Sequence, residues 1–235
     1  MAPSSVYDAI AHLYDPWSRS VVEDISFYVE EAVRSGGPVL ELGVGTGRIA
    51  VPTAQAGLRV VGVDSSQGML GLARRYAEEA GVSLELHFGD FRDPPVEGPF
   101  ALVTIPFRSI LHMRSDAERR QVIAAVKHLL ARDGRFVFDV FSPSPEDIAD
   151  TDGRWLEREP GIFERADWDA ASQSLSLSVR GLEANARLEL AWLTIPQWRE
   201  LLGSEGFVVE ALYGWFDRSD WDGDEDSIWV CRRRG

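Results

Sequence analysis

The sequence predicts an α/β chain organised as a doubly wound, mostly parallel sheet, and three observations carry that prediction. A leucine and valine run, Val39-Leu-Glu-Leu, ends in glycines at alternate positions (Gly43, Gly45, Gly47) and is followed by an apolar-periodic segment through Ala56, which reads as strand, tight turn and helix. The alternation recurs: Arg59 to Asp64 is a second buried strand before a helix opening at Ser65, and Phe100 to Ile105 precedes a helix over Ser115 to Leu130. Near the end, Phe207 to Trp215 and Ser227 to Arg232 are strands with no helix between them, so they pair as a hairpin.

In chain order, Tyr7 to Asp15 reads as a short amphipathic helix broken at Pro16-Trp17, and Val21 to Val33 as a second helix stopped by Gly36-Gly37-Pro38. A third strand covers Leu84 to Phe88 and ends in Gly89-Asp90-Phe91. Pro94-Pro95 and Gly98-Pro99 mark the loop before the fourth strand. Ser115 and Glu118 have capping-box spacing, and Arg135 to Phe141 is the fifth strand. The alternation then lapses: Ile162 to Trp168, Ser174 to Val179 and Arg187 to Leu193 alternate like strands and suggest a three-stranded antiparallel insert. Pro196 to Leu202 is a helix with proline in its first turn.

Glycines at 43, 45 and 47 let the backbone turn sharply and approach a ligand, in front of unpaired helix N–H groups. A dinucleotide fingerprint G-x-G-x-x-G is matched poorly, because the sixth position is Arg48 counted from Gly43 and Ala50 counted from Gly45. Asp64 follows about 20 residues after the glycines, where a carboxylate accepts from ribose hydroxyls. Glu41 with the three glycines, then Asp64, then Gly89-Asp90 together resemble the motifs of class I S-adenosylmethionine-dependent methyltransferases of the small-molecule type.

That resemblance implies a seven-stranded sheet of order 3-2-1-4-5-7-6, with strand seven antiparallel and an antiparallel β insert after strand five. It implies a Rossmann-like cofactor domain over 1–141 and 194–235 with an N-terminal helical lid, and an insert over 142–193 covering the substrate side. The cofactor would be S-adenosyl-L-methionine, contacted by Glu41, Gly43, Gly45, Gly47, Asp64, Ser65, Met69, Asp90, Phe91 and Ile105. The Y-D-x-x-A-x-x-Y-D pattern at the start of the chain is similar to the lids of such enzymes.

On the substrate side, the exit of the fourth strand offers Arg108, Ser109 and His112, since strand carboxyl ends line the crevice of an open sheet. His112 and Tyr14 are the candidate catalytic groups; Arg108, Trp17 and Trp192 are candidate substrate contacts, with Glu164, Arg187 and Glu189 of the insert beside them. Each has a packing alternative: the aromatic residues can seat the first helix, His112 can be a hydrogen-bonded core residue, and the insert can be a homodimer surface. Arg108, between apolar residues, needs a carboxylate or ligand to face. Asp139 inside the fifth strand is either paired in the core or turned to the pocket.

The formal charge of −14 repels nucleic acid, and the basic residues are scattered apart from Arg232-Arg-Arg234. There is no long apolar run, no signal-like N-terminus and a single cysteine, Cys231. The expectation is therefore a cytoplasmic protein with a small-molecule partner, neither nucleic acid nor membrane, and no metal. The implied activity is methyl transfer to nitrogen or oxygen of a small metabolite. The alternatives are a non-catalytic protein that binds the same cofactor or its demethylated product, and a nicotinamide-dependent oxidoreductase.

Overall fold

In the computed structural model, residues 5–234 are described. The elements run α1 (Val6–Trp17), α2 (Glu23–Ser35), β1 (Val39–Leu42), α3 (Ala50–Gln55), β2 (Val60–Asp64), α4 (Gln67–Glu79), β3 (Glu85–Phe88), β4 (Phe100–Ile105), a 3-10 turn (Ser109–His112), α5 (Asp116–Leu129) and β5 (Leu130–Phe141). They continue with α6 (Pro145–Thr151), β6 (Trp155–Glu159), β7 (Ile162–Asp169), β8 (Ser174–Gly181), β9 (Ala184–Ala191), α7 (Ile195–Ser204), β10 (Phe207–Tyr213) and β11 (Asp226–Arg233).

The main sheet has seven strands in the order β3-β2-β1-β4-β5-β11-β10. Strands β1 to β5 pair in parallel, while β11 runs antiparallel to both β5 and β10, which is the expected order with the seventh strand reversed. Alternate residues of the central strands feed two cores. Leu40, Leu42, Val103, Phe136 and Phe138 pack with Val122, Val126, Trp198 and Leu202 of α5 and α7. Val39, Val60, Leu102 and Val137 pack with Phe27, Tyr28, Ala50 and Leu70 of α2, α3 and α4. Burial on both faces is why these strands read as unbroken apolar runs.

The insert forms a separate antiparallel sheet, β6-β7-β8-β9, with one strand more than expected. The extra strand β6 is an edge with almost every side chain exposed, so it lacks the alternation that would mark it. β8 and β9 join through Leu182-Glu183, both at positive φ (46° and 61°), the backbone of a tight two-residue hairpin. Trp192 and Leu193 consequently fall outside the strand.

Helix α1 locks the two sheets together. Its Ile10 and Leu13 are buried against Ile162 and Val179 of the insert. Asp8 accepts from Ser66 Oγ (2.6 Å) and the Gly68 amide (3.0 Å) at the start of α4, and Asp15 accepts from Thr46 Oγ1 and Tyr76 Oη, both at 2.7 Å. A side chain at Gly68 would crowd Ala11 and Asp8, so glycine there permits the close approach. Pro16 does not break the helix but lies in its last turn. Arg48, at the third position a dinucleotide loop would reserve for glycine, makes two 2.6 Å bonds to buried Asp24 and one to the Val21 carbonyl. Asp24→Ala would strand that guanidinium in a largely buried site at a cost of about 3–5 kcal/mol. The expected thermal midpoint falls by about 10 °C, and adding Arg48→Met recovers most of the loss; melting curves of the three proteins check this.

Candidate active site

Parallel strands point their carboxyl ends to one edge, and the turns leaving β1, β2, β3, β4 and β5 converge there on a single cavity of about 790 Å³. Gly43, Gly45, Asp64, Ser65, Met69, Asp90 and Phe91 line it at one end. Tyr7, Tyr14 and Trp17 of α1, Arg108, Ser109 and His112 after β4, and Glu164, Trp168, Leu175 and Leu188 of the insert enclose the rest. Side chains of the insert thus form part of the cavity lining.

The three glycines serve different ends. At Gly43 and Gly47 a Cβ would press on Ser109 and on Val51 and Ala73, so these positions are small for packing. Gly45, on the cavity wall with φ +55°, has nothing nearer than 4.0 Å, and its missing side chain leaves room to the ligand space itself. Asp64 accepts from the Gly45 amide and the Ser66 amide, each at 2.8 Å, so the end of β2 braces the glycine turn. Burial raises the Asp64 pKa despite those two amides. At Asp90 burial also opposes ionisation, but the Arg92 side chain and amide outweigh it and hold the carboxyl below its usual range.

Tyr7 and Tyr14 are seven residues apart and share one helix face, ring centroids 6.0 Å apart, while the aspartates that follow each hold the helix down. Tyr7 Oη lies 2.8 Å from His112 Nε2. Burial pushes the His112 pKa down to about 4, so the ring is neutral and its nitrogen accepts the tyrosine proton. Burial raises both tyrosines well above their ordinary range. Tyr14 stacks edge-on with Trp17 and with Phe107, and Trp17 Nε1 donates to Glu164 (3.2 Å).

Arg108 finds its carboxylate in Asp226 at the start of β11, with its guanidinium over the Phe141 ring. Asp139 is turned to the pocket yet fully engaged: it accepts from Tyr28 Oη and from the amides of Phe107 (2.7 Å) and Arg108 (2.9 Å). Those two residues are both at positive φ (55° and 59°), a conformation that costs a non-glycine residue about 1–2 kcal/mol.

Several expected contacts lie elsewhere. Glu41, Gly47 and Ile105 do not line the cavity: Glu41 and Ile105 are buried within β1 and β4. Trp192 is only 4% exposed and stands behind Trp168, ring centroids 5.3 Å apart, because the chain has left β9 before reaching it. Arg187 and Glu189 bond to each other and to Ser176 on the outer face of the insert. Tyr7, Phe107, Glu225 and Thr151 line the cavity without having been marked as site residues. Tyr7 carried a usable signal, since it repeats the Tyr-Asp pair of Tyr14-Asp15. The others had none.

Comparison with known proteins agrees with this geometry. Residues 39–134 match the family model described as a methyltransferase domain. A putative methyltransferase of Geobacillus sp. is 33% identical over 129 residues, 55% of this chain and 51% of that protein. Another, from Bacillus subtilis, is 29% identical over 222 residues, 89% of this chain and 86% of its own. The alignments with the first curated relatives span 51–60% of those proteins' lengths. The solved CcbJ methyltransferase from Streptomyces caelestis superposes with a TM-score of 0.87 over 99% of both chains at 24% identity. Residues 39–134 thus resemble a methyltransferase domain, and the fold over the whole chain is the one seen in solved methyltransferases.

Burial without a bonded cation pushes the Glu41 pKa up from 4.5 to about 8, with Arg48 only partly offsetting it. Because the folded value lies above the unfolded one, this carboxyl withdraws stability as the pH climbs from about 4.5 to about 8. Glu41→Gln should therefore melt with the wild type near pH 5 and several degrees above it near pH 8.5. Calorimetric scans at the two pH values measure the difference.

Proposed function

We propose that the chain binds S-adenosylmethionine across Gly45, Asp64 and Asp90 and transfers its methyl group to an amine nitrogen of a small metabolite. The observation that carries this reading is the continuity of the cavity: the strand tips that suit an adenosyl moiety open without a partition into the space lined by the insert. A protein that only held the cofactor would have no use for that second half. The residues fit the group, with an acid at each of two neighbouring strand ends, β2 and β3, and an open glycine in the turn after the adjoining β1. Arg48, committed to Asp24, argues against a dinucleotide.

A sulfonium cofactor supplies an activated methyl group and a neutral leaving group. The chain's own residues then have to bind, orient and exclude water, which can lower a barrier by up to ~7–11 kcal/mol. The Tyr7 hydroxyl donates a hydrogen bond to neutral His112, so its oxygen lone pair is left to accept from an N–H of the substrate. Tyr14 Oη has no hydrogen-bond partner among the described residues and faces the same space. The choice of nitrogen over oxygen rests on proton affinity. With His112 lowered to about 4 and both tyrosines raised, none of the three is poised near neutrality to deprotonate an alcohol, and Asp139, raised to about 6, is taken up by three donors. An amine needs no such base once neutral. Eight acids against three arginines on the cavity lining also favour a basic metabolite over an acidic one.

Incubation with S-adenosylmethionine and matched panels of small amines and alcohols, with S-adenosylhomocysteine read by mass spectrometry, tests the assignment. Turnover confined to alcohols overturns the choice of nitrogen, and a thermal shift with NADPH but not S-adenosylhomocysteine overturns the class. Asp64→Ala and Gly45→Val should weaken S-adenosylhomocysteine binding roughly 10- to 100-fold by titration calorimetry, the first by losing a charged acceptor and the second by filling the ligand space.

A further inference from the structure

The turn after β4 is held by a device that the transfer reaction itself does not require. Two consecutive residues, Phe107 and Arg108, sit in the left-handed region, and both their amides point at one buried carboxylate, Asp139 of β5. A third donor, Tyr28 Oη of α2, meets the same oxygen as the Phe107 amide. The turn sets two walls of the cavity: the Phe107 ring stacks against Tyr14 of α1 and under the Arg48 guanidinium, and Arg108 reaches Asp226 over Phe141.

Resting on the cofactor reading above, we infer that Asp139 is a positioning residue, whose ionised carboxylate holds the Phe107–Arg108 turn in the shape that closes α1 over the bound cofactor. Ionised, it accepts from both amides and the phenol; protonated, it loses acceptor capacity where two backbone donors converge. The turn then relaxes toward ordinary backbone and Phe107 withdraws from Tyr14.

The neighbouring charges make this a device that works near neutral pH. Burial pushes the Asp139 pKa up to about 6. Tyr28 favours the ionised form and Asp24 opposes it, both from α2, while Arg108 from the β4 exit favours it. Arg48 of the glycine turn feels the same carboxylate, and Asp226 of β11 faces it only through Arg108. Removing the Tyr28 hydroxyl therefore moves the titration of Asp139 to higher pH.

The test is an NMR titration of the free protein from about pH 5 to pH 8, following the Phe107 and Arg108 amides, paired with calorimetric titration of S-adenosylhomocysteine over the same range. In the wild type both amides should shift with a midpoint near the Asp139 value, and affinity should fall several-fold below it. Tyr28→Phe should carry the amide midpoint and the affinity midpoint upward together. Asp139→Asn should abolish the amide transition and weaken binding about tenfold at pH 7.5. Glu41 also titrates in this region and burial raises Asp64, so only a component that moves with Tyr28→Phe belongs to Asp139. Amides that do not titrate, or an affinity midpoint indifferent to Tyr28→Phe, overturn the inference while leaving cofactor binding intact. Absence of binding at every pH overturns the cofactor reading instead, and with it the role of Asp139 in closing α1, whatever the amides show.

Discussion

A short chain of hydrogen bonds running from the Gly45 amide through Asp64 and Ser66 to Asp8 holds the site together. Asp64 takes the Gly45 amide on one oxygen and the Ser66 amide on the other, and Ser66 caps α4 at Met69 while donating its hydroxyl to Asp8 of α1. The glycine turn, the second strand end, the α4 N-terminus and the first helix are thus mutually fixed through three side chains, Asp64, Ser66 and Asp8. Each link satisfies a donor that a turn or helix start would otherwise leave unpaired. The arrangement needs a carboxylate at the tip of β2 and a small hydroxyl two residues later.

The same economy explains the start of the chain. Tyr-Asp occurs twice at a spacing of seven, so on a helix both pairs present the same face to α4 and the cavity. The aspartates reach down to Ser66, Gly68, Thr46 and Tyr76; the tyrosines turn their rings into the cavity. The packing and ligand-facing roles that sequence alone could not separate are both present, divided between adjacent residues. Ile10 and Leu13 then seat the insert, so its sheet is packed on α1.

What sequence reveals here is what local chemistry dictates. The main sheet, the glycine turn and the acids at the β2 and β3 tips were legible because strand periodicity, turn residues and helix caps act over a few positions. The contacts that close the cavity act over long separations: Tyr7 with His112 across 105 residues, Arg108 with Asp226 across 118, Tyr28 with Asp139 across 111. Arg108's need of a carboxylate was readable; which carboxylate was not. β6 escaped notice because an exposed edge strand carries no buried period. Trp192 was misplaced for the opposite reason, since an apolar run that continues past a strand gives no sign of where pairing stops.

The buried acids show why so much negative charge is tolerable at this edge of the sheet. Burial raises Glu41, Asp64 and Asp139 alike, which means each is more costly to ionise here than in water. A cationic ligand reverses that balance. On the proposed reading, a sulfonium in the cavity lends Asp64 and Asp139, which line it, a counter-charge in a poorly screened space, favours their ionised forms and so releases protons on binding. Reciprocity then makes its affinity rise with pH across the range in which these acids titrate. A neutral thioether product lacks that attraction. The difference favours exchange of product for fresh cofactor, so the acids that burial makes costly to ionise also give the site its direction.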